Sequence, residues 1–129
     1  MADRARRRRR RLSRSGEFDR VYREGRSHAS RHLVVYSFPR TEGDDTDPRL
    51  GVSVGRKLGG AVERNRVKRL LREAFSALGS SLPAGHDFVV VARPDAGELA
   101  QSEGEAGIER ALAVLLEKAG FAQSAEAAK

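Results

Sequence analysis

Hydrophobic positions recur along the chain in two rhythms, and the alternation between them sketches a fold. Phe18, Val21 and Tyr22 stand at i, i+3 and i+4, with Ser13 placed to cap the start and Gly25 to stop the run, which predicts a short amphipathic helix. Over residues 33–38 the period changes to two. His32, Val34, Tyr36 and Phe38 share one face of a strand, and Leu33, Val35 and Ser37 share the other. Residues 40–48, with four acids and a Gly, read as a surface loop. Leu50, Val52 and Val54 then alternate with Gly51, Ser53 and Gly55, predicting a second strand that runs into a turn containing Gly55, Gly59 and Gly60.

The longest helical pattern covers residues 61–78 and is ended by Gly79 and a Ser-Ser-Leu-Pro turn. Residues 87–92, lying between His86 and Pro94 and continuously apolar from Phe88 on, are as expected of a central strand buried on both faces. Residues 96–107 read as loop. Ile108, Ala111, Leu112, Leu115, Leu116 and Ala119 then return to helical spacing and are closed by Gly120, with a frayed tail beyond. No internal repeat is present. The order helix, strands, helix, strand, helix predicts an α+β two-layer sandwich, a small sheet with helices packed on it. Phe75, Leu78, Leu112 and Leu116 are core candidates.

At 129 residues with 39% apolar content, the chain has material for one domain and one modest core. The absence of cysteine removes disulfides, thiolate metal sites and cysteine nucleophiles together. No apolar run approaches the roughly 18 residues that span a bilayer, and no apolar segment follows the charged start, so the expectation is a soluble, cytoplasmic protein. His28, His32 and His86 are scattered among different elements without a carboxylate constellation, so they are expected to be structural or surface residues, with no metal site and no catalytic set in the protein.

Charge adds a direction to this picture. The formal net charge is +7, and it is polarised: residues 1–75 carry a balance of +11 and residues 76–129 one of −4. Such asymmetry suggests a polyanionic partner for the first half, because Lys and Arg gain affinity by releasing counterions from phosphates. One cluster is Arg4 with Arg6, Arg7, Arg8, Arg9, Arg10 and Arg11. It has no hydrophobic period, and residues 1–11 read as a disordered arm, either a solvated tail or a segment that orders on RNA. The other cluster lies on the long helix. At roughly 100° per residue, Val67, Leu70, Leu71, Ala74, Phe75 and Leu78 gather on one side, while Arg64, Asn65, Lys68, Arg69 and Arg72 fill the adjacent arc, with Arg66 at its far margin. One side packs and the other is cationic. Such a face could be merely solvated, but concentrating like charges on a short rod carries mutual repulsion that contact with RNA or DNA would relieve. The glycine-rich entry GRKLGG lacks P-loop spacing and reads as a connecting turn.

The stretch AVERNRVKRLLREAF at residues 61–75 closely resembles the signature of the bacterial ribonuclease P protein subunit, whose hallmark is an Arg-Asn-Arg helix. The pattern EF-x-x-VY-x-x-G at 17–25, the strand containing Tyr36, RLGVSVGRK at 49–57 and DFVVVAR at 87–93 follow in the family's order. The resemblance covers about residues 12–120. It implies a domain over 12–120, a flexible tail over 121–129, three helices on a mixed sheet of about four strands in the order αβββαβα, and a left-handed βαβ crossover where ordinary statistics favour the right-handed one.

It further implies a partnership with a catalytic RNA that removes the 5′ leader from precursor tRNA. The RNA would carry the chemistry and the Mg2+; the protein would bind neither membrane nor DNA. By the same resemblance, Arg56, Lys57, Arg64, Asn65, Arg66, Lys68, Arg69 and Arg72 would face the catalytic RNA, and Phe18, Tyr22, Val34 and Tyr36 would line a cleft for the single-stranded leader. Asn65 could bond a ribose or base edge, or could fasten its helix to the preceding turn. Phe18 could stack a base or serve as core packing. The arginine tract is more extreme than the family's usual start, and Glu63 places an acid where a basic or neutral residue is common. The residues alone also fit a ribosomal or other structural RNA-binding protein, which would share the basic helix and the small sheet.

Overall fold

A computed structural model of the chain describes residues 15–40, 47–78 and 82–121. Its elements run α1 (Ser15–Glu24), β1 (Arg26–Ala29), β2 (Leu33–Pro39), β3 (Arg49–Val54), a single 3-10 turn (Arg56–Leu58), α2 (Ala61–Leu78), β4 (His86–Ala92) and α3 (Asp95–Lys118). The sheet order is β1-β2-β4-β3, with β1–β2 and β2–β4 antiparallel and β3–β4 parallel. Because β3 and β4 are parallel neighbours joined through α2, the basic helix is itself the crossover of a βαβ unit.

Strand alternation divides the interior in two. On one face Leu33, Val35, Leu50, Phe88 and Val90 meet Val67, Leu70, Leu71, Ala74 and Phe75 of α2 and Ile108, Leu112, Leu115 and Leu116 of α3, all buried. The rings of Phe75 and Phe88 cross edge to face at 5.6 Å, an arrangement that adds to their area burial. On the other face α1 lies over β2 and β4. There Val21 sits against Val89, both fully buried, and Phe18, Tyr36, Phe38 and Val91 pack partly buried around them. The central strand β4 serves both faces, as its unbroken apolar run requires.

α2 keeps the limits its periodicity predicts, 61–78, and Val67, Leu70, Leu71, Ala74 and Phe75 of its apolar face are buried. Leu78 stops short of the core proper and is only partly buried against it. The order is the αβββαβα that the resemblance implied, but two stretches are not what the spacing of the residues alone predicts. The four-residue β1, Arg-Ser-His-Ala, has no hydrophobic alternation to betray it. It exists because it pairs with β2 over Arg26–Ser37 to Ala29–Val34. Residues 96–107, expected to be loop, are instead the first half of α3. Their buried positions are Ala96, Ala100 and Gly107, so close helix packing through small residues replaces the large apolar stripe that periodicity detects. Gly104, at φ 61°, interrupts the helix, and Arg110 bridges back to Glu103 beside the kink. Ser13, the arm at 1–11, the tail beyond 121 and most of the 40–48 loop lie outside the described residues.

Gly25 fixes how α1 leaves the sheet. Its N–H donates to the Val21 carbonyl at 2.9 Å, and a Cβ there would stand 2.5 Å from the carbonyl oxygens of both Val21 and Ser37. Only glycine lets the end of α1 approach β2 this closely.

Candidate nucleic-acid interface

The sheet delivers two chemically different surfaces to the end where β3 and β4 finish. The first is cationic. Immediately after β3, Arg56 and Lys57 stand exposed on the 3-10 turn, and α2 begins shortly after it. Burying Val67, Leu70, Leu71 and Ala74 turns the rest of α2 outward. Arg64, Lys68 and Arg72 follow at i, i+4 and i+8 along one flank, each partly buried, while Asn65 and Arg69 are exposed on the outer side. Arg69 shares charge with Glu73 at 3.6 Å, an exposed i, i+4 pair of modest strength.

Arg66 stands apart from this group. Its Nη2 donates to the Ala100 carbonyl of α3 at 3.3 Å, and it borders a pocket of about 390 Å³ shared with Glu63, Glu98 and Gln101. The flank bearing Arg66 therefore faces α3, and the flank bearing Arg64, Lys68 and Arg72 faces away from it. α3 carries Asp95, Glu98, Glu103, Glu105, Glu109 and Glu117 against Arg110 and Lys118, so the acidic half of the sequence resolves onto the helix beside α2. The Glu63 side chain lies over the Gly59–Gly60 turn that leads into α2, within 3.1–3.7 Å of the space a Cβ would occupy on those glycines.

The second surface is aromatic, on the opposite face of the sheet. Tyr22 of α1 meets Tyr36 of β2 edge to face with ring centroids 4.9 Å apart, and Phe18 lies 6.3 Å from Tyr22. Val34 and Tyr36 of β2 pair with Val91 and Val89 of β4, and Ser53 and Gly51 of β3 pair with the same two β4 residues on the far side. Under the front flank of α1 the β3 part of the floor is thus only a glycine and a serine. Phe18 and Tyr22 stand over a sheet face made of Val34, Tyr36, Val91 and Ser53. Burial pushes the Tyr22 phenol above its ordinary range, an effect that a hydrogen bond with Ser53 partly offsets. Phe18, Tyr22 and Tyr36 are in ring contact, and Val34 lies two residues along β2 on the face that carries Tyr36. Phe18 serves packing as well, being partly buried against the Val21–Val89 pair.

Sequence reasoning missed the polar centre behind α1. Asp87, fully buried at the head of β4, accepts from Arg40 Nη1 at 2.6 Å and from Arg49 Nε and Nη2 at 2.8 and 2.9 Å. Arg20 of α1 approaches the same carboxylate at 3.8 Å and lies over the Phe38 ring at 5.2 Å. The available signal was an acid opening an otherwise apolar strand, since a buried carboxylate requires partners. Ser53 and Val91 were missed as part of this face because only the register of three strands brings them beside Tyr36. Among the described residues, no group of three or more His, Cys, Asp or Glu side chains is arranged to hold a metal ion, and no helix is long and apolar enough to cross a membrane.

Comparison with known proteins converges on one family. The family model described as Ribonuclease P matches residues 7–119. A ribonuclease P protein component of an Exiguobacterium strain is 50% identical over 93 residues, covering 72% of this chain and 78% of that protein. One from Bacillus cereus is 39% identical over 93 residues, covering 72% and 79%. Among solved structures, the Staphylococcus aureus RNase P protein superposes with a TM-score of 0.74 at 36% identity, covering 85% of this chain and 94% of that one. The Thermotoga maritima RNase P protein gives 0.73 at 32% identity, covering 84% and 96%.

Proposed function

The chain belongs to the ribonuclease P protein family, and from that premise we propose that its two surfaces divide the work of binding RNA, the flank of α2 holding the catalytic RNA and the cleft beside α1 holding the 5′ leader of precursor tRNA. It is the protein subunit of an enzyme whose catalysis is carried by RNA. The observation that carries the division is the meeting of the two surfaces at one end of the sheet: the sheet face under α1 ends where β3 passes into Arg56 and Lys57, and α2 starts directly after.

On this reading Arg64, Arg69 and Arg72 fork onto phosphates of the folded RNA, Lys68 acts as a point charge, and Arg56 and Lys57 extend the same surface. Asn65, exposed at the outer side of the first turns, bonds ribose or a base edge. Arg66 has a different role, bracing α2 against α3 through Ala100 and reaching RNA only from the helix margin. Phe18, Tyr22 and Tyr36 offer ring faces and edges to bases. Stacking is tolerant of sequence, which suits leaders that vary from one tRNA to the next. The Mg2+ that activates water sits on the RNA, and the protein acts in the cytoplasm, where precursor tRNA is made.

Reconstitution with a ribonuclease P RNA and a precursor tRNA at low magnesium tests the reading. Protein alone cleaves nothing, RNA alone cleaves poorly, and the mixture cleaves at a single position. Replacing Arg64, Lys68 and Arg72 by Ala lowers affinity for the RNA subunit and flattens the salt dependence by about 0.7–0.9 log units for each phosphate no longer neutralised. A salt slope that survives the triple replacement contradicts the assigned flank.

A further inference from the structure

We propose that Asp87 and Arg20 are positioning residues for leader recognition: together they hold α1 from behind, at the distance from the sheet that keeps the cleft in front of it open to a single strand. This rests on the assignment of the cleft to the leader.

The geometry of α1 motivates the idea. Val21 of α1 is fully buried and sits on Val89. Arg20 and Tyr22 flank it and, at roughly 100° per residue, project about 160° apart. The β2–β4 register orders what they meet along the sheet, with Phe38 beside Asp87, Tyr36 beside Val89 and Val34 beside Val91. Tyr22 therefore leans forward onto Tyr36 while Arg20 leans back onto Phe38 and Asp87. Val21 is thus the point about which α1 would tilt if either contact were lost.

A carboxylate satisfied by two arginines does not need a third for its own burial. Arg40 and Arg49 already supply three bonds of 2.6–2.9 Å to Asp87, and both belong to the sheet layer. Arg40 is fastened further to the His86 carbonyl at 2.8 Å. Arg20 is the arm that α1 contributes to this cluster. It reaches over the Phe38 ring to within 3.8 Å of Asp87, and its Nε is buried without a hydrogen-bond partner. Burying part of a guanidinium in this way serves a long-range hold on the helix better than it serves local bonding. The front flank rests on ring contacts with Tyr36, on the Tyr22–Ser53 hydrogen bond and on the partly buried Phe18, and the rings are the groups a base would engage. Without the rear hold, α1 would settle forward past Tyr36 toward the β3 edge of the face, where only Gly51 and Ser53 stand.

The test uses the reconstituted holoenzyme and compares precursor tRNA with the same tRNA lacking its leader. Arg20→Ala replaces a residue that is 44% exposed, so the fold is retained. The variant is expected to weaken leader-bearing substrate about three- to tenfold, the scale of one exposed ion pair and one cation–π contact together, while affinity for leaderless tRNA and for the RNA subunit stays at the parental level. Arg20→Lys restores most of the binding. Asp87→Asn, where it folds, causes the same selective weakening and adds nothing further when combined with Arg20→Ala. Equal weakening of both substrates by Arg20→Ala, or no weakening of either, overturns the proposal. Tyr36→Ala separates the two levels: leader selectivity abolished by Tyr36→Ala and intact with Arg20→Ala discards the rear hold alone, whereas selectivity untouched by both discards the leader assignment.

Discussion

The two faces of the sheet are packed to different standards. Behind α2 and α3 the strand residues and both helices interdigitate in one continuous buried cluster, from Leu33 and Phe88 through Leu71 to Leu116. Under α1, among the described residues, full burial is reached by the apolar pair Val21 and Val89 and by the carboxylate of Asp87, and the rest is partly exposed aromatic and valine surface. A small domain can leave one face of its sheet unfinished only if the other face supplies most of the stability. The closed face therefore carries folding energy, and the open face keeps its apolar groups available to a ligand.

A truncation on the closed face puts this difference under the greatest stress. Leu71→Ala removes a fully buried side chain and is expected to cost about 2–5 kcal/mol in denaturant unfolding, a large share of the stability of a domain this size. A cost well below that range would mean that the closed face does not hold the fold together. On the open face, Tyr36→Ala is expected to weaken leader-bearing precursor by roughly 1–3 kcal/mol, with little change for mature tRNA and a smaller drop in stability than Leu71→Ala. Equal weakening of both substrates would make Tyr36 a packing residue and erase the distinction between the faces.

The smallest effect concerns the wall of the cleft. The Tyr22 phenol has a raised pKa, mainly through burial, so the folded protein holds that proton more tightly than the unfolded chain does. The corresponding stability is fully present below the ordinary tyrosine value and is lost as pH rises from there through the raised one. Tyr22→Phe is expected to remove this part of the alkaline decline in a series of thermal melts taken at increasing pH. An unchanged decline would place its origin at another group.

The same contrast explains how much was legible in the sequence. The limits of α2 and the two-sided burial of β4 could be read because large apolar residues recur at fixed periods, and the motif around Asn65 added the family. β1 could not be read: it is held by backbone pairing to β2, which leaves no mark on Arg-Ser-His-Ala. The first half of α3 escaped because alanines and a glycine, not leucines, fill its buried positions. At the site, the aromatic wall was visible in the spacing of Phe18 and Tyr22. The Asp87 cluster was not, since it gathers Arg20, Arg40 and Arg49 from separate parts of the chain.

β1 and β3 also bear on how the protein behaves in a crowded cell. They form the two margins of the sheet, where unpaired backbone groups invite other chains to add strands. One margin is only four residues long, polar and headed by an arginine; the other begins at Arg49 and runs straight into Arg56 and Lys57. Brevity at one border and positive charge at the other discourage fibrillar stacking, so a molecule with one face of its sheet partly bare can stay dispersed until RNA reaches it.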